Sequence, residues 1–416
     1  MFDNIISQKS TELLCDDILK NRLPGSILFH GPAASGKFSC ALETARVLSC
    51  EKKGDWTCTC SNCLKHKALV SQNVLITGPG NKILEINAAK NSLLVMNIQN
   101  SRHLEASRYL FIRAVRKLTS RFSPVLWEGE DKLAKFSPLL ESINDNLELI
   151  QPGRVLPDDS DLRKIVDEIV KDCEKLESSF LYDSLPLSQI RNFSSWAHLT
   201  SGSSNNGKKI IIIENADQMM DASKNALLKI LEEPPKDTMF ILTTTQKGAM
   251  LPTILSRLRT YSFVERTIAQ QQELIQRVFH TTGNINGEPC KTINEFLQTY
   301  LPITPDAIYG QAESFFNKIA EGRIPDIPAL VTACNGFEPR LVFKIFIQGI
   351  IDVQKGLMKT GPGAETSAAL IKILHEAWNS VTVFNLNPAS VLEELTRSIM
   401  QLNFLNNGIL RYQKSE

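Results

Sequence analysis

The sequence predicts an α/β protein, a doubly wound parallel sheet over roughly residues 1–264 followed by helices alone. Three observations carry that expectation. Short apolar runs alternate with helical periodicity through about residues 1–80 and 184–264, as they must where helices cross over between parallel strands. One run, Ile210 to Ile213, is four consecutive isoleucines, which suits a central strand covered on both faces. Beyond Ala269 the only periodicity is that of helices.

Taken in order, residues 26–30 form an apolar run ended by Gly31-Pro32, and residues 37–48 follow with helical spacing. Val74-Leu75-Ile76 predicts a second buried strand. The segment of about 81–183 is charged and helical, an insert without turn punctuation at strand spacing. In it Leu104, Phe111, Val115, Leu118 and Phe122 share one helical face, with Arg102, Arg113, Arg116 and Lys117 opposite. That basic face would either line a DNA-facing surface or be solvated. Residues 158–177 are a mixed-charge helix. A helix over 188–199 leads to a loop of Ser, Gly and Asn at 201–207, expected to be flexible. After the isoleucine strand, a helix over 222–231 is stopped by Pro234-Pro235, and Phe240-Ile241-Leu242 is a further strand. The helical remainder breaks near 283–289, 302–305, 325–328 and 361–363, which divides it into a small lid and a larger bundle.

At 416 residues the chain is long enough for roughly two to four domains. With 43% hydrophobic and 22% charged residues it has the balance of a soluble globular protein. Met1-Phe2-Asp3-Asn4 has no basic segment before an apolar run, so no secretory signal is read, and no stretch is apolar enough for a membrane helix. A cytoplasmic protein is expected, with no membrane partner and with its nine cysteines reduced. A net charge of +1 is too small to hold nucleic acid by the field of the whole chain.

Between the first strand and its helix lies Gly31-Pro32-Ala33-Ala34-Ser35-Gly36-Lys37, the context of a phosphate-binding loop. Glycines let backbone N–H groups converge on phosphate, the helix N-terminus adds its dipole, and Lys37 can reach the outer phosphates. The next residue should carry a hydroxyl for Mg²⁺, but it is Phe38; Ser39 is turned about 100° away on a helix. This argues against binding of ATP or ADP with Mg²⁺. The isoleucine strand ends in Glu214-Asn215-Ala216-Asp217, where phosphate-loop ATPases normally carry Asp-Glu. Glu214 could still approach a metal, but the Asn215 amide cannot polarise water, and losing a general base costs ~10²–10⁴ in rate. The alternative is an ordinary polar strand end.

Asn225-Ala226-Leu227-Leu228-Lys229-Ile230-Leu231-Glu232-Glu233-Pro234-Pro235 resembles the signature segment of bacterial clamp-loader subunits. Leu251-Pro252-Thr253-Ile254-Leu255-Ser256-Arg257 resembles their Ser-Arg-Cys segment, with Leu258 in place of Cys. Residues 2–8, 31–37, the cysteine cluster and 186–191 follow the same order. The chain is identified as a member of the AAA+ clamp-loader family of bacterial DNA polymerase III over about residues 1–80 and 184–264; the insert lies outside the common pattern, and the C-terminal helices match only in kind. The resemblance implies a nucleotide-type α/β domain (1–264), a helical lid (265–323) and a helical collar (324–416). It implies a heteropentamer with motor gamma/tau and delta subunits that acts on the sliding clamp and primer-template DNA. Arg257 would be an arginine finger reaching into a neighbour's ATP site and exposed before assembly, the alternative being a solvated surface arginine. Thr244, within Thr243 to Thr245, would be a polar sensor of phosphate. Broken motor motifs beside a retained finger segment imply a delta-prime-like stator. The alternatives are an ATP-hydrolysing gamma/tau-like motor, another AAA+ ATPase, or a DNA-binding zinc protein, which leaves the Leu-Glu-Glu-Pro-Pro segment unexplained.

Cys50, Cys58, Cys60 and Cys63 fall within fourteen residues and offer four soft ligands, enough for a closed structural Zn²⁺ site. The family generally has Cys-x-x-Cys-x-x-Cys, whereas here Cys58-Thr59-Cys60 has a one-residue gap. His66 is a reserve ligand, and four separate buried thiols are the alternative.

Overall fold

The computed structural model describes residues 1–180, 184–199, 208–281, 283–285, 288–337, 339–355, 361–382, 386–406 and 410. The loop expected at 201–207 lies outside them. The chain forms two compact units, Met1–Leu297 and Gln298–Glu416.

The first unit is built on a parallel sheet of five strands: β1 (Ser26–His30), β2 (Val74–Thr77), β3 (Lys209–Ile213), β4 (Thr238–Thr244) and β5 (Arg259–Ser262). Their order is β2-β3-β4-β1-β5. The strand that follows β1 in the chain thus lies at the far edge. All strands run the same way, Leu28 opposite Leu242 and Ile212 opposite Ile241, so their C-terminal ends share one edge. Ligands of doubly wound sheets gather at such an edge. β5 left no mark in the sequence reading, because an edge strand of four residues with one buried side chain has no run to detect.

The isoleucines show why the sheet needs cover on both sides. Ile211 and Ile213 join one core with Leu28, Phe240 and Leu242; Ile210 and Ile212 join the other with Ile27, Phe29 and Ile241. Helices α1 (Ser10–Leu19) and α2 (Lys37–Leu48) cover the second face, and α3 (Ser61–Lys67) packs against α2. The first face carries α4 (Ile83–Ile98), α5 (Leu104–Thr119), α6 (Leu133–Leu149), α7 (Asp159–Phe180), α8 (Leu187–His198) and α9 (Asp221–Glu232). Phe111, Val115, Leu118, Phe122, Trp127 and Phe136 are fully buried in the same core as the sheet residues, so the inserted helices extend that core rather than forming one of their own.

Helix α10 (Pro252–Leu255) precedes β5, and α11 (Ile268–Phe279) starts with a capping box in which Thr267 and Gln270 satisfy each other's backbone N–H groups. The expectation of helices alone beyond Ala269 is corrected by an antiparallel pair, β6 (Asn284–Ile285) and β7 (Glu288–Pro289). Two residues per strand are too few to leave an alternating pattern. Helix α12 (Ile293–Gln298) closes the unit.

The second unit holds α13 (Pro305–Ala320), α14 (Ile327–Ala333), α15 (Leu341–Gln354), α16 (Gly361–Thr382) and α17 (Pro388–Leu405). Thr304, Asp326 and Asn387 accept N-terminal N–H groups of α13, α14 and α17, each with a proline in the first turn. Phe315, Phe337, Phe343 and Phe346 meet edge to face in its core. Among the described residues no helix is long and apolar enough to cross a membrane.

Candidate functional site

The phosphate loop leaves β1 at the shared C-terminal edge and enters α2. A Cβ on Gly31 would stand 2.2 Å from the carbonyl oxygen of Phe263, and Gly36 begins α2 at φ 95°, so both glycines are required by the backbone path. Lys37 does not reach outward. Its Nζ donates to the carbonyls of Gly31 (2.7 Å) and Pro32 (2.5 Å) and to Ser35 Oγ (3.3 Å), and only 7% of the residue is exposed. Burial pulls its pKa down to about 8, against the opposing pull of Asp217 and Glu214. Arg266 fastens the loop from below, donating to Ala34 O and Ile6 O, each at 3.0 Å.

Glu214 ends β3 at the same edge, and both its oxygens are taken. Oε1 accepts from Lys82 Nζ at 2.7 Å and Oε2 from Arg121 Nη2 at 2.5 Å. Burial disfavours the carboxylate, yet these two cations outweigh it and hold its pKa below the usual range. The Lys82 ammonium also lies over the ring of Phe38, 4.5 Å from its centroid. Asn215 has a left-handed backbone (φ 49°) and donates its amide to Pro79 O at 2.8 Å. Thr244 is fully buried and donates to Asp217 Oδ1 at 2.5 Å.

Gly31, Gly36, Lys37, Glu214 and Thr244 therefore meet at one edge of the sheet. Sequence reasoning missed four more residues: Lys82, Arg121, Asp217 and Arg266. Lys82 and Arg121 lie 132 and 93 residues from Glu214, and no local pattern links such positions. Asp217, two residues beyond Asn215, is the carboxylate that meets Thr244.

The sulfur atoms of Cys50, Cys58, Cys60 and Cys63 lie within 4.8 Å of one another, with Cys50 and Cys58 3.7 Å apart. The edge of a tetrahedron with Zn–S bonds of ~2.3 Å is about 3.8 Å, so this donor set fits a thiolate-bound metal. The Lys52 N–H donates to Cys50 Sγ (3.3 Å) and Arg46 Nη1 to Cys63 Sγ (3.0 Å). His66 is not in the cluster; it lines a small cavity with Leu42, Ala45 and Ile76, where burial drops its pKa to about 4.

Three of the four basic residues on the basic face of α5 are partly buried and spent on groups of the same chain. Arg113 and Arg116 donate to the carbonyls of Lys67 (2.6 Å) and Ala68 (2.9 Å), at the C-terminal end of α3, and Lys117 pairs with Glu85. Helix C-termini attract cations because their last carbonyls lack partners. Arg102 alone of the four is exposed. Arg257 is exposed, its side chain 32% accessible, and it pairs with Glu232 Oε1 at 2.6 Å and Thr253 O at 2.6 Å. Such surface pairs are worth ~0–1 kcal/mol and exchange partners readily. Leu258, where the family has Cys, is buried in the core of the first face.

A sequence model of the family described as DNA polymerase III, delta subunit, matches residues 6–126 and 152–267, more than half of the chain. The match runs through α4, α5 and α7, so most of the segment expected to fall outside the common pattern lies inside it; residues 127–151, which hold α6, do not. The delta-prime subunit of DNA polymerase III from Bacillus subtilis is 54% identical over 56 residues, 14% of this chain and 17% of that protein. The Pseudomonas aeruginosa delta-prime subunit is 33% identical over 107 residues, 25% of this chain and 31% of that one. The gamma/tau subunit of Mycobacterium bovis is 37% identical over 75 residues, 18% of this chain and 13% of its own length.

Proposed function

The chain belongs to the DNA polymerase III delta subunit family, and from that premise we propose that it is a delta-prime-like stator of the clamp-loader complex. In this role it helps load the sliding clamp onto primed DNA, assembles with motor gamma/tau and delta subunits in the cytoplasm, and lends Arg257 to a neighbour's ATP site. Its α/β domain is followed by a lid over 265–323 and a collar over 324–416. The observation that carries the proposal is the contrast between positions 38 and 214, which bear an aromatic ring and a fully paired carboxylate, and Arg257, held at the surface by Glu232 and its own turn. A subunit built this way hydrolyses no ATP itself. A guanidinium offers fixed charge and a planar fork to a phosphoryl group, worth ~10³–10⁵ where fingers operate. The four thiols hold a structural Zn²⁺.

The test uses the reconstituted complex. Arg257→Ala is expected to leave fold and assembly intact while reducing clamp- and DNA-stimulated ATP hydrolysis and clamp loading. Arg257→Lys is expected to rescue only part of the loss, because an ammonium keeps the charge without the fork. Wild-type loading by the alanine complex overturns the finger assignment, and failure to assemble makes Arg257 an interface anchor instead.

A further inference from the structure

The helical segment after β2 sends two cations into the place where a phosphate-loop site keeps its metal. Position 38 opens α2, where a hydroxyl would ligate Mg²⁺; position 214 ends β3, where a carboxylate would. Between them stands the ammonium of Lys82, 2.7 Å from Glu214 Oε1 and 4.5 Å from the Phe38 ring centroid. The chemistry of the two positions is matched to that occupant. Mg²⁺ requires near-octahedral oxygen ligands at about 2.1 Å, and a phenyl ring supplies none. An ammonium, by contrast, is attracted both to a carboxylate and to an aromatic face. Phe38 therefore replaces a metal ligand with a ligand for a lysine.

The rest of the surroundings holds the lysine in place. The backbone N–H of Lys82 donates to both oxygens of Glu177, at 3.2 and 3.1 Å. Arg121 takes the second Glu214 oxygen and donates to Gly80 O at 2.6 Å. Lys82, Glu214 and Arg121 are all buried. Lys37, which would meet the phosphates, is instead spent on the loop's own carbonyls. The residues present thus do not fit a nucleotide with its Mg²⁺.

We infer that Lys82 is a built-in replacement for the divalent cation, so that the inserted helices keep the phosphate-loop edge in its ordered arrangement without metal or nucleotide. The inference concerns the chain's own residues and stands whether or not the chain acts as a stator.

Metal rescue of the full chain tests it. Lys82→Ala leaves Glu214 with one of its two cations, and the melting temperature is expected to fall by roughly 3–6 °C. Millimolar MgCl₂, compared with NaCl at equal ionic strength, is expected to restore at least half of that fall in Lys82→Ala, more in Lys82→Ala/Phe38→Thr, and to leave the wild type unmoved. Lys82→Ala/Glu214→Gln, lacking the carboxylate, is expected to show no rescue. A Mg²⁺-dependent rise in the wild type equal to that in the variant overturns the inference, as does a rise that survives Glu214→Gln. Should Lys82→Ala fail to fold, Lys82→Gln keeps an uncharged donor for Glu214 and takes its place; no Mg²⁺ response there overturns the inference equally.

Discussion

The two ends of α2 carry the two chemical clusters of the first unit, and they are satisfied in opposite ways. At the N-terminal end the charged groups of the phosphate-loop edge face partners from the same chain: Lys37 the loop carbonyls and Glu214 two cations, with Thr244 on the Asp217 carboxylate. Past the C-terminal end, four thiols face one another. Carboxylates and ammonium groups can neutralise each other when brought together. Thiolates cannot, since each adds negative charge, and only a cation at their centre makes the cluster favourable. The first end therefore neutralises its own charges, while the second has the donor set to take a cation.

The largest expected effect falls on the thiol end. Protein purified without chelator is expected to contain one zinc per chain by elemental analysis. Because binding energy of a structural zinc is folding energy, chelation is expected to cost several kcal/mol, on the order of half of the ~10 kcal/mol seen for small zinc modules. Unchanged melting after chelation would remove the metal from the account, and unchanged zinc in Cys60→Ser would remove Cys60 from the ligand set.

A second experiment probes how the thiol end is held. Arg46 is 1% exposed and ties Glu43, Gly54 O and Asp55 O to Cys63 Sγ. Arg46→Ala leaves the Glu43 carboxylate buried without its partner, at an expected ~3–5 kcal/mol by denaturant unfolding. If Arg46 serves the fold alone, that loss comes with zinc content unchanged; if it steadies the cluster, zinc affinity falls as well.

The smallest effect belongs to the loop end and depends on pH. Burial pushes the Glu177 carboxyl up to about 7, against the Lys82 N–H and the nearby Arg121 and Lys82 charges. A pKa raised on folding means that the native state binds the proton more tightly. The stabilising contribution is then complete below the ordinary value near 4.5 and is lost as pH rises through about 7. Glu177→Gln keeps an acceptor for Lys82 and removes the titration. The variant is expected to match the wild type at about pH 4.5 and to exceed it by roughly 3 kcal/mol at about pH 8. Parallel pH profiles would show that Glu177 does not titrate in this window.

The sequence by itself determined what is local. β1 and α2 have the bounds their apolar runs predict, Pro234-Pro235 follows α9, and the four thiols converge because their spacing confines them to one turn-rich stretch. Periodicity and short spacings encode such geometry directly, since a few residues of chain fix where a neighbour can lie. Tertiary structure alone decided which charges meet. It set Lys82 and Arg121 on Glu214, turned Arg113 and Arg116 onto the end of α3, parked Arg257 on Glu232, and kept His66 away from the sulfurs. A long charged side chain carries the same signal in sequence whether it is solvated, bound to a ligand or paired across the fold. Its partner is chosen by the packing of elements a hundred residues apart, which only the assembled core brings within reach.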